Sequence, residues 1–169
     1  MVTDYTSDNQ ENPEYTLPEG FQFLTPKMVR ERLKANEDVV KLSIEKWERI
    51  YEIINWFETR MLPGKYVHNI RKEEHLGELS CALCVVSRQQ VPLDEKTEIR
   101  VSKCAPCPLG QVDRCIDEHS VYSKIDAELK WLEQVVTNKE PIYELQGLIL
   151  TMIKNLRSIE PEPPSEPNP

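Results

Sequence analysis

The sequence predicts a mainly α-helical protein: a bundle of about four helices, with a cysteine-rich insert between the second and the third helix. Apolar residues recur every three or four positions in four separate segments, which is the spacing of one helix face. All five cysteines of the 169-residue chain lie between the second and the third of these segments. Because 39% of the residues are hydrophobic, the chain can bury one core, and we expect a single helical domain over residues 21–160.

The first two helices have clear start and stop signals. Residues 1–20 are polar and acidic, and we expect them to be disordered or extended. Thr25-Pro26 predicts a helix over about 26–35, because threonine caps helices well and proline suits the first helical position. A longer helix is predicted over about 38–61, and Pro63-Gly64 ends it. Its apolar positions are Val40, Ile44, Trp47, Ile50, Tyr51, Ile54, Phe57 and Met61.

The insert is predicted over about 62–120. Residues 62–80 show no firm periodicity, and we interpret them as a connector. Residues 97–101 alternate polar and apolar side chains. Together with Val85-Val86 and Val91 upstream, this alternation indicates a small β-hairpin between the cysteine pairs.

The third helix follows the insert. Ser123, with Asp126 three residues later, approximates a capping box and predicts its start. Thr137-Asn138 ends it. Its apolar side consists of Tyr122, Ile125, Leu129, Leu132, Val135 and Val136.

The last helix is opened by Glu140-Pro141, and its apolar face runs to Ile159. The stretch from Leu145 to Ile159 has a seam of about two heptads, fewer than a coiled coil needs. We therefore expect this face to pack within the bundle, and self-association through the helix is the alternative. Residues 161–169 contain five prolines, so we expect a disordered tail without helix or central strand.

The cysteines predict a metal site. Cys81 and Cys84 form one Cys-x-x-Cys pair, Cys104 and Cys107 form a second, and 19 residues separate the pairs. This spacing is typical of a zinc ion held by four thiolates. The total of five cysteines is odd, which fits metal ligands better than a complete set of disulfides. We expect a cytosolic protein, in which thiols stay reduced.

The fifth cysteine leaves the ligand set open. Cys115 and His119 are four residues apart, so a helix starting at 115 would place them on one face. Either could replace a member of the two pairs. An iron–sulfur redox or sensing protein is a second alternative, because Cys107-Pro108 resembles the Cys-Pro step of ferredoxins, although compact ferredoxin spacing is missing.

The sequence resembles a loose group of small, uncharacterised cysteine-containing proteins of bacteriophages and bacteria. The shared pattern is a Lys46-Trp47 helix, Cys-Ala-Leu-Cys at 81–84, Cys-Ala-Pro-Cys-Pro-Leu at 104–109, then Cys115 and Tyr122. It covers about half of the chain. The resemblance implies a metal-stapled module of viral origin, in which the two cysteine pairs are ligands, but it implies no activity.

Charge is unevenly distributed along the chain. The net charge is −8, with −5 in residues 1–59, +2 in residues 60–115 and −5 in residues 116–169. A phosphate-binding protein usually has a dense basic face, so this balance disfavours nucleic-acid binding. A zinc-dependent nucleic-acid-binding regulator remains an alternative, because several basic residues flank the cysteines.

These observations predict a non-enzymatic, zinc-stabilised interaction protein. There is no phosphate loop, no His-Glu-x-x-His and no Gly-x-Ser-x-Gly motif, so we expect no enzyme activity. The acidic flanks suit a protein partner, and the resemblance suggests a phage-encoded accessory factor or inhibitor of a host or defence protein. The polar, acidic N-terminus lacks signal-peptide features, and no apolar run is long enough for a membrane span. We expect a cytoplasmic protein, in the host cytoplasm if phage-encoded.

Overall fold

The computed structural model describes residues 17–59, 76, 81–90, 107–134 and 142–161. The helices are α1 (Pro26–Lys34), α2 (Val39–Thr59), α3 (Ala82–Gln90), α4 (Val121–Gln134) and α5 (Tyr143–Arg157), with a 3-10 turn at Pro108–Gln111 before α4. No β-strand occurs in these residues. The predicted mainly α-helical class is therefore confirmed, and α1, α2, α4 and α5 are the four predicted helices.

Helix α1 begins as predicted. The hydroxyl of Thr25 accepts the backbone N–H of Met28 at 3.3 Å, and Pro26 occupies the first position of the helix. Its end is a Schellman motif. Asn36 adopts a left-handed conformation with φ 61°, and the Glu37 N–H bonds back to the Arg32 carbonyl at 3.1 Å.

Helix α2 forms the centre of the molecule. Asp38 caps it by accepting the Lys41 N–H at 2.8 Å. Helices α3 and α5 both pack against α2, and α4 packs against α5. The buried side chains of α2 are Leu42, Ser43, Ile44, Lys46, Trp47, Ile50, Ile53 and Ile54.

Arginine side chains tie α2 to its neighbours. Arg32 of α1 bonds both Glu37 and Glu45, the latter at 2.7 Å. The Glu45 carboxylate also accepts Arg49, one turn along its own helix, at 2.6 Å. The connection between α1 and α2 is thus held by a shared carboxylate.

Helix α3 occupies part of the predicted insert. The hairpin prediction is wrong for its upstream part, because Val85 and Val86 lie in α3 and not in a strand. The second arm, residues 97–101, lies outside the described residues. Ala82 of α3 is buried with Leu24, Val29 and Leu42 in a small cluster between α1, α2 and α3, so apolar contacts on the helix face outweigh the strand preference of the two valines.

Helix α4 begins earlier than predicted. Ser120, and not Ser123, is the capping residue: its hydroxyl accepts the Ser123 N–H at 3.1 Å. Asp113 reaches forward from the preceding loop and accepts the Val121 N–H at 2.9 Å. Asp126 pairs with Lys130 along the helix at 2.6 Å.

Helix α5 packs against α2 and α4 with its heptad-like face. Leu145, Ile149 and Met152 are fully buried, which confirms packing within the bundle. The helix begins at Tyr143, and Glu140-Pro141 lies outside the described residues, as do residues 1–16 and 162–169. Among the helices that the structure describes, none has the length and apolarity needed to cross a membrane.

Candidate metal centre

The first cysteine pair lies at the start of α3. Cys81 directly precedes the helix, and its carbonyl accepts the Val85 N–H at 3.0 Å. Cys84 lies in the first helical turn. Both side chains are half-buried. A Cys-x-x-Cys pair at the N-terminus of a helix faces the positive end of the helix dipole, which favours thiolate.

These two thiols share a hydrogen bond. The Cys84 thiol donates to Cys81, and this bond is the main cause that lowers the pKa of Cys81. The Lys46 ammonium, the Cys84 backbone N–H and the Ser43 hydroxyl lower that pKa further, against the opposing effect of burial. The same bond raises the pKa of Cys84, and burial adds to this effect. The hydrogen bond between the two thiols therefore favours ionisation of Cys81 over ionisation of Cys84.

Cys107 is fixed by the 3-10 turn that follows it. Its carbonyl accepts the Gly110 N–H at 2.9 Å, and Pro108 occupies the first position of the turn. Cys107 is 7% exposed and belongs to the main core together with buried Leu109. The turn thus fixes this thiol against the bundle, without a capping side chain.

Cys115 is positioned by the serines at the start of α4. Its carbonyl accepts the Ser120 hydroxyl at 3.1 Å and lies 3.4 Å from the Ser123 hydroxyl. The half-buried side chain packs against the main core. The loop that carries Cys115 is therefore tied to the first turn of α4.

The four described cysteines come together from separate segments. Negative charge on Cys81, Cys115 and Cys107 contributes to the raised pKa of Cys84, so all three thiols lie within electrostatic range of it. None of these four forms a disulfide. Within the described ranges, no three Cys, His, Asp or Glu side chains are arranged to hold a metal ion as they stand.

Helix α2 contributes a buried lysine and a tryptophan to the same region. The Lys46 Nζ donates to the Leu76 carbonyl at 2.9 Å and lies 5.4 Å from the centre of the Trp47 ring. Burial lowers the pKa of Lys46, and the charges of Cys81, Cys84 and Cys115 oppose this effect.

Tyr122 closes the cluster from α4. Its ring meets Trp47 edge-on, with 6.3 Å between the ring centres. Burial raises the pKa of Tyr122 to about 12, and negative charge on Asp126, Cys115, Cys81 and Cys84 adds to the shift. The Tyr122 phenol is therefore uncharged at neutral pH.

Sequence reasoning missed Ser43. This side chain is fully buried, and its hydroxyl accepts the Leu83 N–H at 3.2 Å. That N–H belongs to the first turn of α3, where helices lack an internal acceptor, so a residue of α2 caps α3. The available signal was a serine at helical spacing with Trp47 and Ile50 on the core-facing side of α2.

The other predicted residues have different outcomes. Cys104 lies outside the described residues. His119 is exposed, and α4 begins only at Val121, so Cys115 and His119 do not share a helix face as that alternative required. Arg114, one of the basic residues that flank the cysteines in the sequence, is exposed.

No protein-family model matches this chain, and neither a curated protein nor a solved structure matches it.

Proposed function

We propose that the protein is a non-enzymatic, zinc-stapled helical protein that acts by binding a protein partner. The observation that carries the proposal concerns four cysteines from three segments: the start of α3, the 3-10 turn and the loop before α4. Charge on Cys81, Cys107 and Cys115 raises the pKa of Cys84, so the four thiols lie within electrostatic range of one another. Like charges gather in this way where a cation is to be bound.

Zinc takes four thiolates in a tetrahedral site. Cys81 and Cys84 would supply two of these thiolates. Cys107 supplies the third. For the fourth position, the spacing of the sequence favours Cys104, and the electrostatic effect of Cys115 on Cys84 favours Cys115. Because the described thiols do not yet form a coordinating group, binding has to draw them closer together.

The role of zinc in this proposal is structural. Helix α3 packs on α1 and α2, and the turn at 108–111 reaches the core through Leu109. A metal that joins the two would link the insert to α2, and its binding energy would add to folding. Chelation should therefore loosen residues 62–120 before it affects the long helices.

Metal analysis tests the site. We expect one zinc per chain in the purified, reduced protein, and chelation should make residues 62–120 sensitive to protease. Cys81→Ser and Cys84→Ser should abolish binding, and comparison of Cys104→Ser with Cys115→Ser identifies the fourth ligand. Ser158→Ala, at the exposed end of α5, serves as a control. A metal-free, well-folded protein with wild-type protease resistance would contradict the proposal.

The same purification separates zinc from iron–sulfur. The chain has five cysteines, more than a single zinc needs, and Pro108 follows Cys107 as in ferredoxin ligands. A brown protein with visible absorbance after anaerobic purification would replace zinc by a cluster. A colourless protein with stoichiometric zinc would exclude the iron–sulfur alternative.

The distribution of acidic residues suggests residues 1–16 as the partner-binding segment. In the described part of the chain, Glu37 and Glu45 pair with Arg32, and Glu48 pairs with Arg157 at 2.6 Å. In contrast, residues 1–16 carry four acidic side chains and no basic one. We assign recognition of a basic partner surface to this acidic segment, and the resemblance to phage proteins suggests a host or defence protein as the partner.

A pull-down at two salt concentrations tests this assignment. Recovery of a partner should fall as salt rises, because charge attraction between exposed groups is screened. The variant that removes the charge of the segment changes Asp4, Asp8, Glu11 and Glu14 to their amides. The control changes four exposed carboxylates of the described part: Glu31, Asp117, Glu118 and Glu144. Recovery that is indifferent to salt and to the first variant would refute acidic recognition.

A further inference from the structure

Helix α5 has a second face, on the side opposite the one that packs in the bundle. This second face carries Tyr143, which is 67% exposed, and Leu150, which is 47% exposed. The two residues are seven positions apart, close to two helical turns, so they lie on one line along the helix. Two large apolar side chains in line on an exposed helix indicate a surface that another molecule covers.

Gly147 lies between these two residues on the same exposed face. Glycine inside a helix is less favourable than alanine, and a Cβ at this position would have no neighbour within 4 Å. The Thr151 hydroxyl beside it bonds the Gly147 carbonyl at 2.9 Å, so that hydroxyl is satisfied within the helix. The described part of the chain gives no packing reason for the glycine, and the space above it is open to a residue from outside.

The two ends of this face carry opposite charges. Glu144 lies in the first turn of α5, and Lys154 lies in the last turn. Neither side chain forms an ion pair with another residue of the described part. Burial and the charge of Glu144 raise the pKa of Glu128 on α4, so the first turn of α5 is a negative end. Such a face is complementary in charge to an antiparallel copy of itself.

The order of residues along the face is complementary to itself as well. Tyr143, Gly147, Leu150 and Lys154 are separated by four, three and four positions, a spacing that is the same in both directions. Two antiparallel copies related by a two-fold axis therefore place Leu150 of each copy over Gly147 of the other. The same axis places Lys154 of each copy against the Tyr143 ring of the other, where an ammonium is attracted to the aromatic face.

We propose that the protein associates with a second copy of itself through this exposed face of α5, as an antiparallel pair with two-fold symmetry. Leu150 fills the space above the glycine of the other copy, and the charged ends attract each other. The contact is a single helix pair, smaller than the interface of about 1,200–2,000 Å² that stable complexes bury, so the association is weak and reversible. It does not depend on the zinc site, because none of these residues belongs to it.

Sedimentation equilibrium of the full-length, reduced chain over about a hundredfold range of concentration tests the proposal. We expect a monomer at the lowest concentration and a dimer at the highest. Leu150→Asp places a charge in the contact and should weaken dimerisation by about tenfold or more. The dilute variant should keep the circular dichroism of wild type, because position 150 is exposed in the monomer.

Gly147→Ala separates association from folding. In the dilute monomer the substitution should raise Tm by about 2–4 °C, because alanine is the better helix former and its Cβ meets nothing. In the dimer the same Cβ lies where Leu150 of the other copy packs, so association should weaken. A glycine without a role in association would give the first effect and not the second.

Exchange of the end charges tests the antiparallel order. Lys154→Glu alone should weaken dimerisation, because it brings like charge to Glu144 of the other copy. The double variant Glu144→Lys with Lys154→Glu should recover association. Lys124→Glu is the control, because Lys124 is an exposed lysine on α4, and we expect it to dimerise as wild type does.

Three outcomes would overturn the inference. A wild-type chain that stays monomeric at every concentration leaves this face to a different protein. A dimer that Leu150→Asp and Gly147→Ala leave unchanged has its interface elsewhere. A double charge variant that associates no better than Lys154→Glu rules out the antiparallel pair.

Discussion

Replacement of Ser43 by alanine should destabilise the protein, because it removes the acceptor that caps α3. The Ser43 side chain is fully buried, and Leu83, whose N–H it accepts at 3.2 Å, is 3% exposed. Water therefore has little access to take its place. The Leu83 N–H lies in the first turn of α3, where no carbonyl of the helix itself is available.

The expected loss follows from these contacts. A buried donor left without an acceptor costs about 1–3 kcal/mol. The bond from the Ser43 hydroxyl to the Val39 carbonyl, 2.9 Å long, adds little to this loss of stability. The Val39 carbonyl also takes part in the backbone hydrogen bonding of α2. For a chain of this size, a loss of about 2 kcal/mol lowers Tm by about 4–8 °C.

Urea unfolding followed by circular dichroism measures this loss. The metal-free protein is the appropriate sample, so that any metal released from the cysteines does not contribute. Ser158→Ala is the matched control: its hydroxyl bonds the Asn155 carbonyl at 2.6 Å on the exposed surface, and we expect a change within about 0.5 kcal/mol. A Ser43→Ala protein as stable as this control would refute the capping role.

Three further predictions concern the helices. Ile149→Ala should lower the free energy of unfolding by about 2–5 kcal/mol because Ile149 is fully buried. Leu150→Ala, at a site 47% exposed, should lower it by less than about 0.5 kcal/mol in the same urea series. Equal losses would contradict the packing of α5. The hydrogen bond from Arg32 lowers the pKa of Glu45 below its ordinary 4.5, so Glu45 stabilises the fold above pH 4.5 and loses this effect as pH falls through its lower folded pKa. Glu45→Gln should therefore lower the free energy of unfolding by about 0.5–1 kcal/mol at pH 7, and the variant and wild type should be equally stable at low pH. A difference in stability that persists at low pH would argue against the ion pair. Asp113→Ala removes the acceptor of the first N–H of α4, so it should lower the free energy of unfolding, measured with urea, by about 0.5–2 kcal/mol. An unchanged free energy of unfolding would contradict the capping role of Asp113.

The metal proposal gives the cysteine pairs a role in the fold. Cys81 and Cys84 start a helix that packs on α2, and Cys107 starts a turn that enters the core. A metal between them would join two segments that reach the core separately, through Leu83 and through Leu109. The insert would then depend on metal, and the bundle of α2, α4 and α5 would depend on apolar packing.

Local signals account for the parts of the fold that were predicted correctly. Thr25-Pro26 starts α1 because a cap and a proline act within one turn. The apolar face of α5 was predictable because its spacing repeats with the helix. The local strand preference of Val85 and Val86 gave a wrong prediction, because both residues lie in α3.

The sequence by itself determined four of the five described helices, their apolar faces and which cysteines are close along the chain, because these properties depend on neighbours within a turn or two. Only the tertiary structure decided that Ser43 caps α3, that Lys46 is buried beside the cysteines and that Cys115 lies near Cys84. Each of these contacts joins residues from different segments. The packing of α2 against α3 and α5 sets these distances, and no spacing along the chain encodes them.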